Sequence, residues 1–281
     1  MSLPKTYIFG AGNVGRSILH SVQRENNVIA FLDNDRNKWE TFLEGLPVYN
    51  PEVISEASYD KIVIASLAGV NSAIEQLLGL GVNRSCICTE YIDYTITSRI
   101  VFLEKLGEIF RERNIQGCVA ECGVFLGEFS KEINRVFPGH RLFLFDTFSG
   151  FSEKDIEYEH ENQFSELDAG HFNITSEGLV LGKLPHPEMC VIRKGYFPET
   201  ASGLEEERFC FVTLDFDLYQ PTLAGLQFFA PRMTESGVIL IHDYFADGFK
   251  GVRAAVNDFD PVAKGLRLLP IGDGLSVAIY F

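Results

Sequence analysis

The sequence predicts an α/β protein made of two successive parallel-sheet units, the second closing in an antiparallel hairpin. Short apolar runs alternate with segments of helical spacing along most of the chain. Two of these runs end in glycine turns that open a helix, Gly10 to Gly15 and Gly123 to Gly127. Each turn is followed by a further apolar run that delivers a carboxylate at its end, Asp33 and Asp146.

Lys5–Phe9 is the first predicted strand, and Val14, Ile18 and Val22 place one apolar face on a helix from Asn13 to Arg24. Val28–Leu32 and Ile62–Ala65 add strands and Ala73–Leu78 a helix, so residues 1–90 read as a small α/β unit. Ile100, Leu103, Leu106 and Phe110 recur at helical spacing, which makes 91–113 a connecting helix. A second unit, 114–281, has predicted strands at Gly117–Glu121, Leu142–Asp146, Cys190–Arg193, Phe209–Asp215 and Gly237–Ile241. Its predicted helices are Glu128–Val136, Pro221–Phe229 and Gly251–Phe259. Leu266–Leu269, a turn around Gly272 to Gly274, and Ser276–Tyr280 form the terminal β-hairpin, an antiparallel edge that a parallel sheet tolerates. The stretch 150–188 holds nine acidic residues and two lysines, and its length makes it a candidate lid.

Composition narrows the classes. Of 281 residues, 46% are apolar and 22% charged, which suits a soluble folded chain. A formal charge of −15 argues against a nucleic-acid partner. No apolar run reaches the roughly 18 residues of a membrane span, and the start of the chain lacks a secretory pattern, so a cytoplasmic protein is expected. Six cysteines without a CxxC pair read as reduced, mostly buried thiols rather than a zinc site.

Gly10-Ala11-Gly12-Asn13-Val14-Gly15 matches the GxGxxG spacing of a Rossmann-like dinucleotide loop, with Asp33 in the ribose-binding place. Nucleotide or nucleotide-sugar binding and simple helix–strand packing both explain these glycines. In the second unit Glu121-Cys122-Gly123 runs to Gly127 and the helix opened by Glu128. Gly123 and Gly127 would let a ligand approach the backbone, and Asp146 suits the hydroxyls of a ribose.

Two apolar runs end in acids. Phe209–Leu214 leads into Asp215 and Asp217, and Gly237–Ile241 into His242 and Asp243. On neighbouring parallel strands these groups converge where open α/β sheets bind ligands. Asp215, His242 and Asp243 suit Mg²⁺ or Mn²⁺, which would hold substrate oxygens and lower the pKa of the one attacked. The bland alternatives are helix capping by Asp215 and Asp217, and a structural His242–Asp243 bond.

Residues 114–281 resemble the macrocin O-methyltransferase-like (TylF-type) family of sugar O-methyltransferases. The resemblance rests on AECGVFLGEFS (120–130), LFLFDTFSGF (142–151), KGYFPET (194–200), LDFDLYQPTLAGLQFFAPRM (214–233), GVILIHDY (237–244) and GVRAAVNDF (251–259). It implies a class I S-adenosylmethionine methyltransferase fold, a Mg²⁺-dependent transfer and a sugar or nucleotide-sugar hydroxyl as acceptor. It also implies cofactor contacts at Glu121, Gly123 and Asp146, and metal carboxylates at Asp215 and the 242–243 pair. Where the family usually has Asp-Asp, this chain has His242-Asp243, so His242 is a ligand or the base; Asp217 is placed to face the acceptor. YIFGAGNVGR, FLDNDRNKW, GLPVYNPE and YDKIVIAS, within residues 4–88, resemble the small Rossmann-like domains attached to bacterial enzymes that modify surface polysaccharides. The competing functions are an NAD(P)-dependent sugar-nucleotide epimerase or reductase, for which no Tyr-x-x-x-Lys pair is found, and a non-catalytic sugar-nucleotide binder. A homo-oligomer is compatible with the sequence.

Overall fold

The computed structural model describes residues 2–66 and 70–281, with only the backbone of Asn13. It forms two compact units, Met1–Thr97 and Ser98–Phe281.

In the first unit the strands are β1 (Lys5–Phe9), β2 (Asn27–Leu32), β3 (Phe42–Leu43), β4 (Leu46–Tyr49), β5 (Lys61–Ile64) and β6 (Ile87–Cys88), in the order β3-β4-β2-β1-β5-β6. Only β3 and β4 pair antiparallel. The helices are α1 (Asn13–Gln23), α2 (Val70–Gly79) and the start of α3 (Glu90–Glu112). α1 buries Ile18, Leu19 and Val22 against Ile8, Val28 and Phe31, as its apolar spacing requires. The β3–β4 hairpin, turning at Gly45 with φ +77°, is absent from the predicted elements. Two-residue strands leave too little pattern to read.

The second unit holds a seven-stranded sheet. Its strands are β7 (Cys118–Cys122), β8 (Leu142–Asp146), β9 (Cys190–Lys194), β10 (Phe209–Leu214), β11 (Met233–Ile241), β12 (Arg267–Pro270) and β13 (Val277–Tyr280). The order is β12-β13-β11-β10-β7-β8-β9, parallel except where β13 pairs with β11 and β12. Helices α4 (Glu128–Val136), α5 (Glu153–Glu161), α6 (Glu177–Leu181), α7 (Tyr219–Phe229) and α8 (Lys250–Phe259) complete it. β7 and β10 are buried on both faces, hence their unbroken apolar runs. The sheet reverses direction of growth between β7 and β10, and the ligand crevice of an open α/β sheet lies at such a point.

Two expectations shift. β11 starts at Met233, earlier than predicted, because Thr234, Glu235 and Ser236 interrupt its apolar pattern where its register against β10 slips. The acidic stretch 150–188 contains α5 and α6, capped by Ser152 and Ser176, whose hydroxyls accept from the amides of Asp155 and Leu179. Among the described residues no helix is long and apolar enough to cross a membrane.

Candidate functional site

The C-terminal ends of β7, β8, β10 and β11 bring together every site residue named from the second half of the sequence. The turn after β7 is fixed from two sides. Asp146 accepts through Oδ2 from the amides of Val124 and Phe125 at 2.7 and 3.0 Å, and through Oδ1 from the amide of Phe148 at 2.6 Å. Its carboxylate therefore shapes the glycine turn as well as offering acceptor lone pairs at a strand end. Gly123 has φ +81°, and a Cβ there would lie 1.9 Å from the carbonyl oxygen of Asp215. At Gly127, φ +75°, a Cβ would press on Val180 of α6 at 3.0 Å. The Cβ positions of the two glycines are thus filled by the protein itself, so neither can carry a side chain.

Residues of the 170–183 segment bind the same turn. Thr175 Oγ1 donates to the carbonyl of Phe125, and Lys183 Nζ donates to that of Leu126 at 2.7 Å and pairs with Glu128 at 2.6 Å. Phe125 and Phe172 meet edge to face at 5.0 Å. The candidate lid is anchored to the turn after β7.

Glu121, the last but one residue of β7, is buried and accepts a hydrogen bond from Ser130 of α4. Burial pushes its carboxyl up to about 8, with the charges of Asp215 and Asp146 adding to the effect. Beside it, Asp215 Oδ1 stands 3.0 Å from His242 Nδ1, and the same nitrogen lies 2.7 Å from Asp243 Oδ2. Arg99 of α3 reaches Asp215 Oδ2 at 3.3 Å while its guanidinium covers the ring of Phe129 at 4.4 Å. Side-chain exposures of 22%, 12% and 10% for Asp215, His242 and Asp243 describe a recessed cluster with one open side.

The charges of this cluster are strongly interdependent. Burial alone would raise the Asp215 carboxyl, yet the charges and hydrogen bonds of His242 and Arg99 hold it below its ordinary range. Burial opposes protonation of His242, but Asp215 and Asp243 outweigh it and lift the imidazole to about 10. Asp217 is pushed well above its ordinary value by burial and by the negative charges of Asp243 and Asp215. Asp217 and Asp243 both sit in the left-handed region, φ +65° and +55°, which aspartate tolerates better than most residues. Asp215, His242 and Asp243 each offer a donor atom within 4.8 Å of the others, a separation and donor set that fit one divalent cation.

Arg99 was missed, because the connecting helix was legible only through its apolar face. Glu159 of α5 was also missed. It is fully buried, accepts from the amide of Tyr219 at 2.7 Å where α7 begins, and burial pushes it to about 7, with Asp155 adding to the rise. Both Glu121 and Glu159 are raised above the unfolded value of a glutamate. The stability that these two carboxyls contribute is therefore fully present below about 4.5 and is lost as pH rises through about 7 to 8. Thermal melting should give a lower Tm at pH 8.5 than at 5.5, and Glu159→Gln should flatten part of that slope. A Tm that is level or rises across this window would refute the assignment.

In the first unit the glycine loop divides its duties. Gly10, φ +118°, turns against Ala65, whose carbonyl oxygen would be 2.5 Å from a Cβ. Gly15 lets α1 pack onto the carbonyl of Gly10, at 2.0 Å from a built Cβ, while among the described residues nothing lies within 4 Å of one at Gly12. These are the three roles of a dinucleotide loop: tight turn, open approach and close helix packing. Asp33 accepts from the amide of Ala11 at 2.8 Å and from Lys38 Nζ at 3.1 Å, so it braces its loop as Asp146 does. Residues 67–69, within the segment that follows YDKIVIAS, lie outside the described residues.

Comparison with known proteins places this geometry. The family profile described as "C2185-like, N-terminal" matches residues 2–88, and "Macrocin-O-methyltransferase (TylF)" matches residues 92–268. A curated relative from Streptomyces olivaceus, 8-demethyl-8-(2,3-dimethoxy-alpha-L-rhamnosyl)-tetracenomycin-C 4'-O-methyltransferase, is 26% identical over 173 residues, 53% of this chain. The match spans 63% of that relative's length. The O-methyltransferase NovP superposes with a TM-score of 0.53 at 18% identity, covering 65% of this chain and 79% of its own. The calicheamicin methyltransferase CalS11 does so with a TM-score of 0.50 at 16% identity, covering 77% and 87%. These two likenesses show that the second unit has the fold of class I methyltransferases. By the profile that spans its α3-to-β12 region, the chain belongs to the macrocin-O-methyltransferase (TylF) family.

Proposed function

We propose that the chain is an S-adenosylmethionine-dependent O-methyltransferase whose acceptor is a hydroxyl of a sugar, sugar nucleotide or glycoside, assisted by Mg²⁺ or Mn²⁺. The observation that carries this reading is the convergence of Asp215, His242 and Asp243 beside the Glu121–Gly127 turn, in a member of this family. Residues 114–281 form the methyltransferase domain, and 91–113 join it to a small nucleotide- or sugar-nucleotide-binding domain, 1–90. In the latter Gly10, Gly12, Gly15 and Asp33 form the loop, and the open space at Gly12 supports that role. The S. olivaceus relative, by its name, methylates a rhamnosyl 4'-hydroxyl, which favours a sugar acceptor here as well.

The chemistry asks little of the protein beyond placement and charge. The acceptor oxygen attacks the methyl carbon in line, the carbon–sulfur bond breaks, S-adenosylhomocysteine leaves, and the hydroxyl proton passes to a base or to water. Glu121, Gly123, Gly127 and Asp146 form the cofactor side, where Asp146 orders the turn and faces the ribose. Asp215 and Asp243 hold negative charge at the acceptor side, and Arg99 keeps Asp215 ionised and in place. Asp217 faces the acceptor. Asp215, His242 and Asp243 would hold the divalent cation, which would supply positive charge beside the attacking oxygen, an effect of several kcal/mol.

The 2.7 Å contact of His242 with Asp243 favours a second reading, in which Asp243 orients His242, which acts as the base once its imidazole has lost the proton, and no metal is needed. Stripping the protein with EDTA and assaying methyl transfer to a sugar acceptor separates the two. The cation reading predicts that activity vanishes and returns with Mg²⁺ or Mn²⁺; full activity in EDTA leaves the dyad.

A further inference from the structure

The strand ends of the second unit gather carboxyls: Glu121 from β7, Asp146 from β8, Asp215 and Asp217 after β10, and Asp243 after β11. Among the described residues Arg99 of α3 is the one lysine or arginine that pairs with any of them. Its Nη1 lies 3.3 Å from Asp215 Oδ2, and its charge also acts on Glu121, drawing that carboxyl down against the effect of burial. The guanidinium therefore stands where β7 and β10 end side by side.

Asp215 uses little of this arginine. A guanidinium carries five N–H donors in a planar fork. Among the described residues Asp215 Oδ2 is the single hydrogen-bond acceptor Arg99 reaches, at a distance slightly beyond the usual range. Its other contact is with the ring of Phe129, the second residue of α4, 4.4 Å away, which holds the guanidinium near the start of that helix without engaging a donor. The side chain is only 19% exposed, so the remaining donors are neither matched by protein nor freely hydrated. Bracing one carboxylate oxygen would suit a lysine as well, whereas a fork with most of its donors unengaged fits a second, bidentate partner.

The cofactor carries such a partner. With its ribose on Asp146 and its methyl facing Asp215, His242 and Asp243, its amino-acid end lies over the ends of β7 and β10, which separate those groups along the sheet. That end bears an ammonium and a carboxylate. The ammonium finds acids on every side, but the carboxylate enters a field of like charge and is repelled unless a cation receives it. His242 is already engaged by Asp215 and Asp243, which leaves Arg99. Resting on the methyltransferase reading, we propose that Arg99 binds the α-carboxylate of S-adenosylmethionine through the guanidinium donors that Asp215 does not use. Asp215 orients Arg99, and Arg99 makes the site selective for a cofactor with an intact amino-acid end.

Two ligands that differ only in that carboxylate test the proposal: S-adenosylhomocysteine and its decarboxylated analogue, which keeps the ammonium. Each is titrated calorimetrically into the intact protein, Arg99→Met and Arg99→Lys. The unaltered protein is expected to favour S-adenosylhomocysteine about tenfold or more. Arg99→Met keeps an unbranched stem beside Phe129 and should abolish that preference, weakening S-adenosylhomocysteine while leaving the analogue where it was. Arg99→Lys should restore part of it, as a single charge without the fork. A residue that served Asp215 alone would shift both ligands together or neither. A preference that survives Arg99→Met, or equal binding of the two ligands by the unaltered protein, therefore overturns the proposal. Failure of the unaltered protein to bind either ligand would instead undo the methyltransferase reading, and this proposal with it.

Discussion

Asp215→Asn is expected to lower kcat/KM for methyl transfer by on the order of 10²–10³-fold, without recovery at high Mg²⁺ or Mn²⁺. The reason is positional. Asp215 Oδ1 faces His242 and Oδ2 faces Arg99, so one carboxylate neutralises two cations while also contributing to the cation-binding set. Asparagine keeps the shape and an acceptor for Arg99 but removes the charge, so the fold persists. The loss then appears in turnover, with S-adenosylhomocysteine affinity little changed. Full turnover by Asp215→Asn would reduce Asp215 to a structural partner of Arg99.

Gly123→Ala is expected to have the largest effect on stability. The φ of +81° is costly for any residue with a Cβ, and the new methyl would sit 1.9 Å from the carbonyl of Asp215, which is strand-end backbone and cannot swing aside. Separating β7 from β10 at this point costs roughly 3–5 kcal/mol, a drop in Tm on the order of 10 °C. Gly139→Ala is the control, because nothing lies within 4 Å of its Cβ position and its φ is not in the left-handed region. Equal melting of the two variants would contradict this account of the turn.

Much of this was legible in the sequence because the signal is local. The central strands β7, β8, β10 and β11 are apolar runs ended by an acid or histidine, and their parallel pairing brings those ends to one edge. The terminal hairpin was legible from its glycine turn. What stayed hidden depends on contacts distant in sequence. Arg99 and Asp215 are joined across 116 positions, and no spacing rule connects them. Gly123, read from the sequence as a place of ligand access, is also a point of close approach between β7 and β10. Asp146 and Asp33 looked like ribose ligands alone, whereas each also braces its own glycine turn by accepting backbone hydrogen bonds. The acidic stretch 150–188 was legible only as a candidate lid, and nothing in its composition marks Glu159, buried as the acceptor at the start of α7.

The central claim is that S-adenosylmethionine binds the second unit at the turn between β7 and α4. Calorimetric titration of S-adenosylhomocysteine into the intact protein tests it most directly. The account predicts a single binding event that survives EDTA and a bulky substitution at Gly12, and that Asp146→Ala weakens by about 1.5–3 kcal/mol, roughly 10- to 100-fold. Binding that is absent, that is indifferent to Asp146→Ala, or that disappears when Gly12 is replaced would contradict it.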